Sequence, residues 1–136
     1  MATLLIIDDE RDICDILEDV FQEQKGYAIL KADNGQDGVE LVKKHHPDVI
    51  LLDVKLQAGM DGVEVLQEIK RHHPKAKIVM ITGFVEEVME RKIKELGVDA
   101  YIEKPFTPPQ IINAVKDVLQ KKWSEEGGES KNRACD

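Results

Sequence analysis

The sequence has few cysteines, few aromatic residues and no long apolar run. The 136 residues include two cysteines, Cys14 and Cys135, and 4% of the residues are aromatic. Two cysteines this far apart do not suggest a disulfide framework, so we expect a reducing compartment, the cytoplasm. No apolar stretch approaches the roughly 20 residues of a membrane span. Residues 1–3 lack the basic start of a signal peptide, and we expect no targeting segment.

Basic charge is also scarce, because 19 lysines and arginines stand against 27 aspartates and glutamates. The resulting net charge of −8 makes this chain a poor binder of a phosphate backbone, which requires a basic face. Hydrophobic residues make up 42% and charged residues 34% of the chain, a globular composition. A length of 136 residues suits one domain with a substantial core.

Short apolar runs alternate with longer amphipathic segments along the chain. The five apolar runs, each predicted to be a strand, are residues 4–7, 27–32, 49–52, 78–81 and 100–102. Strands that alternate with helices predict right-handed crossovers and a parallel sheet. We therefore predict an α/β fold: a single doubly wound (βα)5 domain over residues 1–122, with helices on both faces of a five-stranded parallel sheet. Residues 123–136 are polar and lack periodicity, which predicts a disordered tail or the stub of a linker.

Polar and charged side chains follow four of the five predicted strands. Ligands of open α/β sheets bind at the carboxyl ends of the strands. The residues at these ends are Asp8, Asp9, Glu10, Asp53, Thr82 and Lys104. Each has an ordinary explanation when taken alone, such as a helix cap or a turn. A purely structural sheet does not need all of them together, so we expect the functional site at this edge.

The charges at this edge predict a divalent cation. If Asp8, Asp9 and Asp53 converge, one carboxyl group is driven to protonate unless a cation intervenes. Lys104 leaves a charge of about −2, which a divalent ion brings near zero. Oxygen ligands without a nearby cysteine favour Mg²⁺ over zinc. An aspartate beside Mg²⁺, a lysine and a hydroxyl group is equipped to receive a phosphoryl group.

The order and spacing of five positions resemble the receiver domain of response regulators in two-component signalling, a CheY-like superfamily. The residues that carry the resemblance are Asp8, Asp9, Asp53, Thr82 and the run from Lys104 to Phe106. The match extends from residue 3 to about residue 122. It implies a sheet of order 2-1-3-4-5. It also implies that Asp53 is the phosphoacceptor.

The resemblance assigns further roles around Asp53. It implies that Asp9 binds Mg²⁺ directly, that Asp8 acts through a coordinated water, and that the backbone carbonyl of Lys55 completes the protein ligands. Asp53 is itself a ligand in this scheme. The side chains of Thr82 and Lys104 would hold the phosphoryl oxygens.

The same resemblance implies a switch and two rate-tuning positions. Thr82 and Tyr101 would be the switch residues, with the Tyr101 ring moving between exposed and buried positions. The bond between Lys104 and Pro105 would be a cis peptide. Lys55 and Phe84, each two residues after a site residue, would influence how fast the phosphoryl group is lost. The sequence departs from the family in the loop after Asp53, which is one residue longer and lacks the usual proline.

The implied function is a phosphorylation-activated signalling switch rather than an enzyme, apart from catalysis of its own phosphorylation and dephosphorylation. The phosphodonor would be a histidine kinase or a histidine phosphotransfer protein. The surface of the fourth helix, fifth strand and fifth helix would control a downstream effector protein or a C-terminal output domain. We expect a monomer or a phosphorylation-dependent dimer, without direct nucleic-acid binding and without membrane contact.

Two other protein classes share part of this pattern. An Mg²⁺-dependent aspartyl-phosphate hydrolase uses the same acid, threonine and lysine chemistry, but that family has a second aspartate where Lys55 stands. A flavodoxin-like cofactor-binding module has the same doubly wound fold. The acid cluster disfavours a flavin phosphate, and no phosphate loop rich in serine, threonine and glycine is visible. Turnover of a phosphomonoester that Asp53→Asn abolishes would support the first class, and a yellow purified protein the second.

Overall fold

The computed structural model describes residues 1–56, 59–83 and 86–120. Five strands alternate with five helices along this part of the chain. The strands are β1 (Ala2–Ile7), β2 (Tyr27–Ala32), β3 (Val49–Asp53), β4 (Lys77–Thr82) and β5 (Ala100–Glu103). The helices are α1 (Arg11–Gln24), α2 (Gly35–His45), α3 (Gly62–His72), α4 (Glu87–Leu96) and α5 (Pro108–Gln120). The predicted tail, residues 123–136, lies outside the described residues.

The strands form one parallel sheet in the order β2-β1-β3-β4-β5. The α/β class, the parallel pairing and the order 2-1-3-4-5 are therefore confirmed. Because the strands are parallel, their carboxyl ends share one edge of the sheet. The register pairs Asp53 with Ile81, one residue before the end of β4, and pairs Thr82 with Glu103 at the end of β5.

Hydrophobic clusters cover both faces of the sheet. Leu5 and Ile7 of β1 pack into a cluster with residues of α2, α3 and α4, whereas Leu4 and Ile6 pack into a second cluster with residues of α1 and α5. Every residue of β3 is buried. A strand buried on both faces is apolar at successive positions rather than at alternate ones, which explains the uninterrupted apolar runs in the sequence.

Side-chain caps fix the starts of three helices. The Asn34 side chain accepts a backbone hydrogen bond at the start of α2. Asp61 and Glu64 form a reciprocal capping box at the start of α3, with distances of 2.9 and 3.0 Å. At α5, the Thr107 hydroxyl accepts from the Gln110 backbone N–H at 3.3 Å. These caps hold the helices in place behind the carboxyl edge of the sheet.

None of the helices within the described residues is long and apolar enough to cross a membrane.

Candidate functional site

Three side chains at the carboxyl edge of the sheet are buried although they are polar. Asp8 follows β1, Asp53 ends β3 and Thr82 ends β4, and their exposed fractions are 1%, 3% and 1%. Within residues 1–56, 59–83 and 86–120, these three are the only buried polar or charged residues. Burial of a carboxylate costs free energy unless it is paired or binds a metal, so their position indicates a functional site.

Lys104 brings a positive charge to these carboxylates. Its Nζ atom lies 3.5 Å from Asp53 Oδ2, 3.8 Å from Asp8 Oδ2 and 3.3 Å from Glu10 Oε1. The Lys104 backbone N–H donates to the Thr82 carbonyl at 2.6 Å, which ties the lysine to the end of β4. The peptide bond between Lys104 and Pro105 is cis. The structure therefore brings β1, β3 and β5 together around one ammonium group.

Burial and charge shift the pKa values of this group in consistent directions. Burial raises the pKa of Asp8 to about 6, with a hydrogen bond from the Glu10 N–H opposing the rise and the nearby Asp53 adding to it. Burial also raises the pKa of Asp53, although Lys104 partly offsets this. Burial lowers the pKa of Lys104, but the carboxylates of Asp53 and Asp8 outweigh it and the net shift is upward. Lys104 therefore stays charged, and the carboxyl groups favour a second cation.

The same carboxylates fit a hard divalent cation. Oxygen atoms of Asp8, Glu10 and Asp53 all lie within 4.8 Å of one another. Asp8 Oδ2 is buried and has no hydrogen-bond partner in the described part of the chain. A buried carboxylate oxygen without a hydrogen bond, beside two further carboxylates, belongs to the oxygen donor set that Mg²⁺ prefers. The residues present therefore fit a magnesium ion.

This cluster of carboxylates contains two of the three predicted carboxylate ligands, Asp8 and Asp53. Among the described residues, the carboxylates that lie within that distance include Glu10 and not Asp9. Asp9 is half-buried, and its charge contributes to the raised pKa of Asp53, so it lies at the same edge. The expectation that Asp9 binds the metal directly comes from the family resemblance, and it stays a prediction.

Backbone hydrogen bonds fix the chain that follows Asp53. The Val54 N–H donates to the Ile81 carbonyl at 2.9 Å, and the Lys55 N–H donates to Asp53 Oδ1 at 3.2 Å. The Gly62 N–H then donates to the Val54 carbonyl at 3.0 Å. A Cβ atom at Gly62 would press against the Val54 backbone, so glycine is required for this close approach. The carbonyl of Lys55 follows this ordered segment directly.

Thr82 ends β4, and its side chain lies near that of Tyr101, the second residue of β5. The Thr82 hydroxyl donates to the Gly83 carbonyl at 3.0 Å. The Tyr101 ring is half-buried and packs against the same core cluster as Met89 and Leu96. Burial raises the pKa of the Tyr101 hydroxyl, and the nearby Thr82 side chain partly offsets this rise. The Tyr101 hydroxyl is buried without a hydrogen bond of good geometry in the described residues. Phe84, one of the two predicted rate-tuning residues, lies outside the described residues.

Two features of the site are absent from the sequence prediction. Glu10 is present in the acidic run, but the prediction gives it no role, although it makes the shortest contact to Lys104. The capping box of Asp61 and Glu64 has a readable signal, an acid followed three residues later by glutamate before an apolar run. The signal for Glu10 is weaker, because nothing in the spacing shows that its side chain turns towards a lysine 94 residues away.

Comparison with known proteins agrees with this geometry. The model of the response regulator receiver domain family matches residues 4–116. The chain therefore belongs to the response regulator receiver domain family. Receiver domains are generally non-enzymatic signalling modules of two-component systems, phosphorylation-activated switches that bind Mg²⁺ at an acidic pocket. Their partners are histidine kinases or phosphotransfer proteins, together with output domains.

Solved structures show the same fold. A CheY-like receiver domain protein from Methanospirillum hungatei JF-1 is 28% identical, with a TM-score of 0.85 over 93% of this chain and 99% of that one. A putative response regulator from Chloroflexus aurantiacus J-10-fl is 30% identical, with a TM-score of 0.79 over 88% and 98%. NtrX from Brucella abortus is 28% identical, with a TM-score of 0.83 over 92% of this chain but 28% of NtrX. Relatives of the chain thus include single receivers and parts of longer regulators.

Proposed function

We propose that residues 1–122 form a receiver in which Asp53 accepts a phosphoryl group from a phosphohistidine of a histidine kinase or phosphotransfer protein. The observation that carries the proposal is the burial of Asp53 within reach of the Lys104 ammonium group. A buried carboxylate at a strand end, paired with a lysine and beside two further acids, has little structural purpose. The Asp53 carboxylate is suited to attack phosphorus, and the Lys104 ammonium group is placed to stabilise the phosphorylated product.

The transfer forms a bond between a carboxylate oxygen of Asp53 and phosphorus as the bond from phosphorus to the donor imidazole nitrogen breaks. Charge on the three equatorial oxygens is stabilised by the Lys104 ammonium group and by the hydroxyl of Thr82. Asp8, Asp9, Asp53 and the Lys55 carbonyl would hold Mg²⁺, which neutralises charge on the phosphoryl oxygens when bound. Attack of water on phosphorus then breaks the bond to the Asp53 oxygen, releases inorganic phosphate and returns Asp53 to its carboxylate. In this scheme the domain catalyses both steps on itself.

The phosphoryl group then shifts a population between two states of the domain. We propose that Thr82 turns its hydroxyl towards the phosphoryl oxygens and that Tyr101 follows into the space beside it. The tyrosine lies on β5, between α4 and α5, so its position changes the surface of these three elements. Val88 on α4 is 62% exposed and gives this surface an apolar contact point for an effector or output domain.

We propose that two sequence positions, two residues after Asp53 and two residues after Thr82, set the lifetime of the phosphoryl group. Lys55 is exposed two residues after Asp53 and places a cation close to the phosphoryl oxygens. Phe84 follows Thr82 by two residues and is bulky, so we propose that it restricts the attacking water. Phe84→Ala is expected to lose phosphate faster than the parent. A rate equal to that of the parent would contradict this role.

We propose that the protein acts in the cytoplasm, a reducing compartment in which a free, buried cysteine such as Cys14 is expected. Burial raises the pKa of the Cys14 thiol to about 11, which makes it unreactive. The acidic net charge favours protein partners over nucleic acids, and a membrane is not part of the proposal. The domain would act as a monomer or as a phosphorylation-dependent dimer, with residues 123–136 as a tail or linker.

The experiment is incubation with acetyl phosphate, with and without Mg²⁺, followed by intact-mass measurement. The parent protein is expected to gain the mass of one phosphoryl group only when Mg²⁺ is present, and Asp53→Asn to gain none. Asp33→Asn is the matched control, because Asp33 is an exposed aspartate just after β2 at the same edge of the sheet. Equal labelling of Asp53→Asn and the parent would refute the proposal.

A further inference from the structure

We infer that Glu10 is a positioning residue that competes with Asp53 for the Lys104 ammonium group in the unphosphorylated protein and thereby restrains phosphorylation. The inference rests on the function proposed above and assigns a new residue to its regulation. Of the three carboxylates around Lys104 Nζ, Glu10 is the closest, at 3.3 Å, against 3.5 Å for Asp53 and 3.8 Å for Asp8.

The position of Glu10 in its helix supports this role. Glu10 is the N-cap residue of α1, yet its side chain makes no capping hydrogen bond. The N-cap residues of α2 and α3, Asn34 and Asp61, both accept a backbone hydrogen bond from their own helix. The N-cap position favours short side chains that can do this. Glutamate is too long for the usual cap, and here its carboxylate contacts Lys104, 94 residues further along the chain.

The exposure of the two acids separates their roles. The Asp53 side chain is 4% exposed, whereas that of Glu10 is 59% exposed, so Glu10 lies on the solvent side of Lys104. A phosphoryl group on Asp53 presents new anionic oxygens to the same ammonium group. Lys104 then exchanges its contact with Glu10 for a contact with the phosphoryl group. In the unphosphorylated protein the ammonium group is shared between Glu10 and Asp53, so full engagement of the phosphoryl oxygens requires loss of the Lys104–Glu10 contact.

Three variants distinguish a contact with Lys104 from the effect of charge alone. Glu10→Gln keeps the length of the side chain and removes its charge. Glu10→Asp keeps the charge but is one methylene shorter, and an aspartate at an N-cap turns towards its own helix. Glu40→Gln is the control, because Glu40 is an exposed acid on α2 that pairs with Lys43 at 3.4 Å.

The first measurement is the dissociation constant of beryllofluoride, a stable mimic of the phosphoryl group, at saturating Mg²⁺. Glu10→Gln and Glu10→Asp are both expected to bind about two- to fivefold more tightly than the parent, the range that a half-exposed ion pair provides. Glu40→Gln is expected to match the parent. If Glu10→Asp binds like the parent while Glu10→Gln binds more tightly, charge alone acts and the inference is wrong. Weaker beryllofluoride binding by either Glu10 variant also overturns it.

The second measurement is the ¹⁵Nζ signal of Lys104 in lysine-labelled protein, assigned with Lys104→Arg. Both Glu10 variants are expected to shift this signal in the free protein, and all variants to share one signal after beryllofluoride binds. An unchanged signal in the free variants would overturn the inference. A magnesium dissociation constant that rises in Glu10→Gln but not in Glu40→Gln would make Glu10 a metal ligand instead. If the parent itself fails to bind beryllofluoride, the proposed function fails, while the free-state signal still tests the Lys104–Glu10 contact.

Discussion

Replacing Asp8 by asparagine is expected to stabilise the metal-free protein at neutral pH. Asp8 is 1% exposed, and one of its carboxylate oxygens has no hydrogen-bond partner among the described residues. Its other oxygen accepts the Glu10 backbone N–H at 2.9 Å, a bond that an asparagine carbonyl can also accept. The substitution therefore removes a buried charge, keeps a hydrogen bond and conserves the volume of the side chain.

The magnitude follows from the pKa of Asp8. Burial, first among several causes, raises this pKa from 3.8 to about 6 in the folded protein. Because the folded pKa lies above the unfolded one, the protonated form is favoured by folding, and stability falls as the pH rises from 3.8 to 6. At about 1.4 kcal/mol per pKa unit, the ionised carboxylate costs about 3 kcal/mol above pH 6. Asp8→Asn removes this cost.

Urea unfolding in the presence of a chelator, followed by circular dichroism, measures this difference. The free energy of unfolding of Asp8→Asn is expected to exceed that of the parent by about 3 kcal/mol at pH 7.5 and to match it below pH 4. Asp19→Asn, an exposed position on α1, is the control and should change stability by less than about 0.5 kcal/mol. A stability gain that is absent at pH 7.5, or equally large below pH 4, would refute the reasoning.

Three further predictions concern the loop after Asp53, the start of α3 and the metal. Gly62→Ala is expected to cost about 1–3 kcal/mol in urea unfolding, because its Cβ presses on the Val54 backbone. Gly83→Ala, with nothing within 4 Å of the new atom, is the control, and equal losses would contradict the close approach. Asp61→Ala removes the capping box and should cost about 0.5–2 kcal/mol in the same assay, whereas no loss would exclude its role. Mg²⁺ at 100 times its dissociation constant should stabilise the parent by about 2.7 kcal/mol in thermal unfolding, and EDTA should abolish this gain. The same melting temperature with Mg²⁺ and with EDTA would contradict metal binding.

The sequence predicts the fold well because burial on both faces leaves a clear pattern. Residues 49–52 are uninterrupted apolar residues, and in the structure every position of β3 is buried. The boundaries move by one or two residues, as at β1, which begins at Ala2 rather than Leu4. The ends of a strand are fixed by its pairing with neighbouring strands, and the preferences of single residues do not predict that pairing. The sheet order came from the family resemblance and not from periodicity.

The candidate site is predictable to the extent that strand ends converge. A parallel sheet places Asp8, Asp53 and Lys104 at one edge, and the structure shows their contacts. The contact from Glu10 to Lys104 could not be predicted, since it depends on the rotamer of a long side chain at a helix start. The raised pKa of Asp8 is also invisible in the sequence, because it results from burial by the completed core.

Locating the phosphoryl group on the chain tests the central claim most directly. Protein treated with acetyl phosphate and Mg²⁺ is reduced with borohydride, which converts an aspartyl phosphate to homoserine, and is then digested and sequenced by mass spectrometry. Homoserine at position 53 alone, dependent on Mg²⁺, is the predicted result. Homoserine at Asp8 or Asp9 instead, or at no position, would contradict the account.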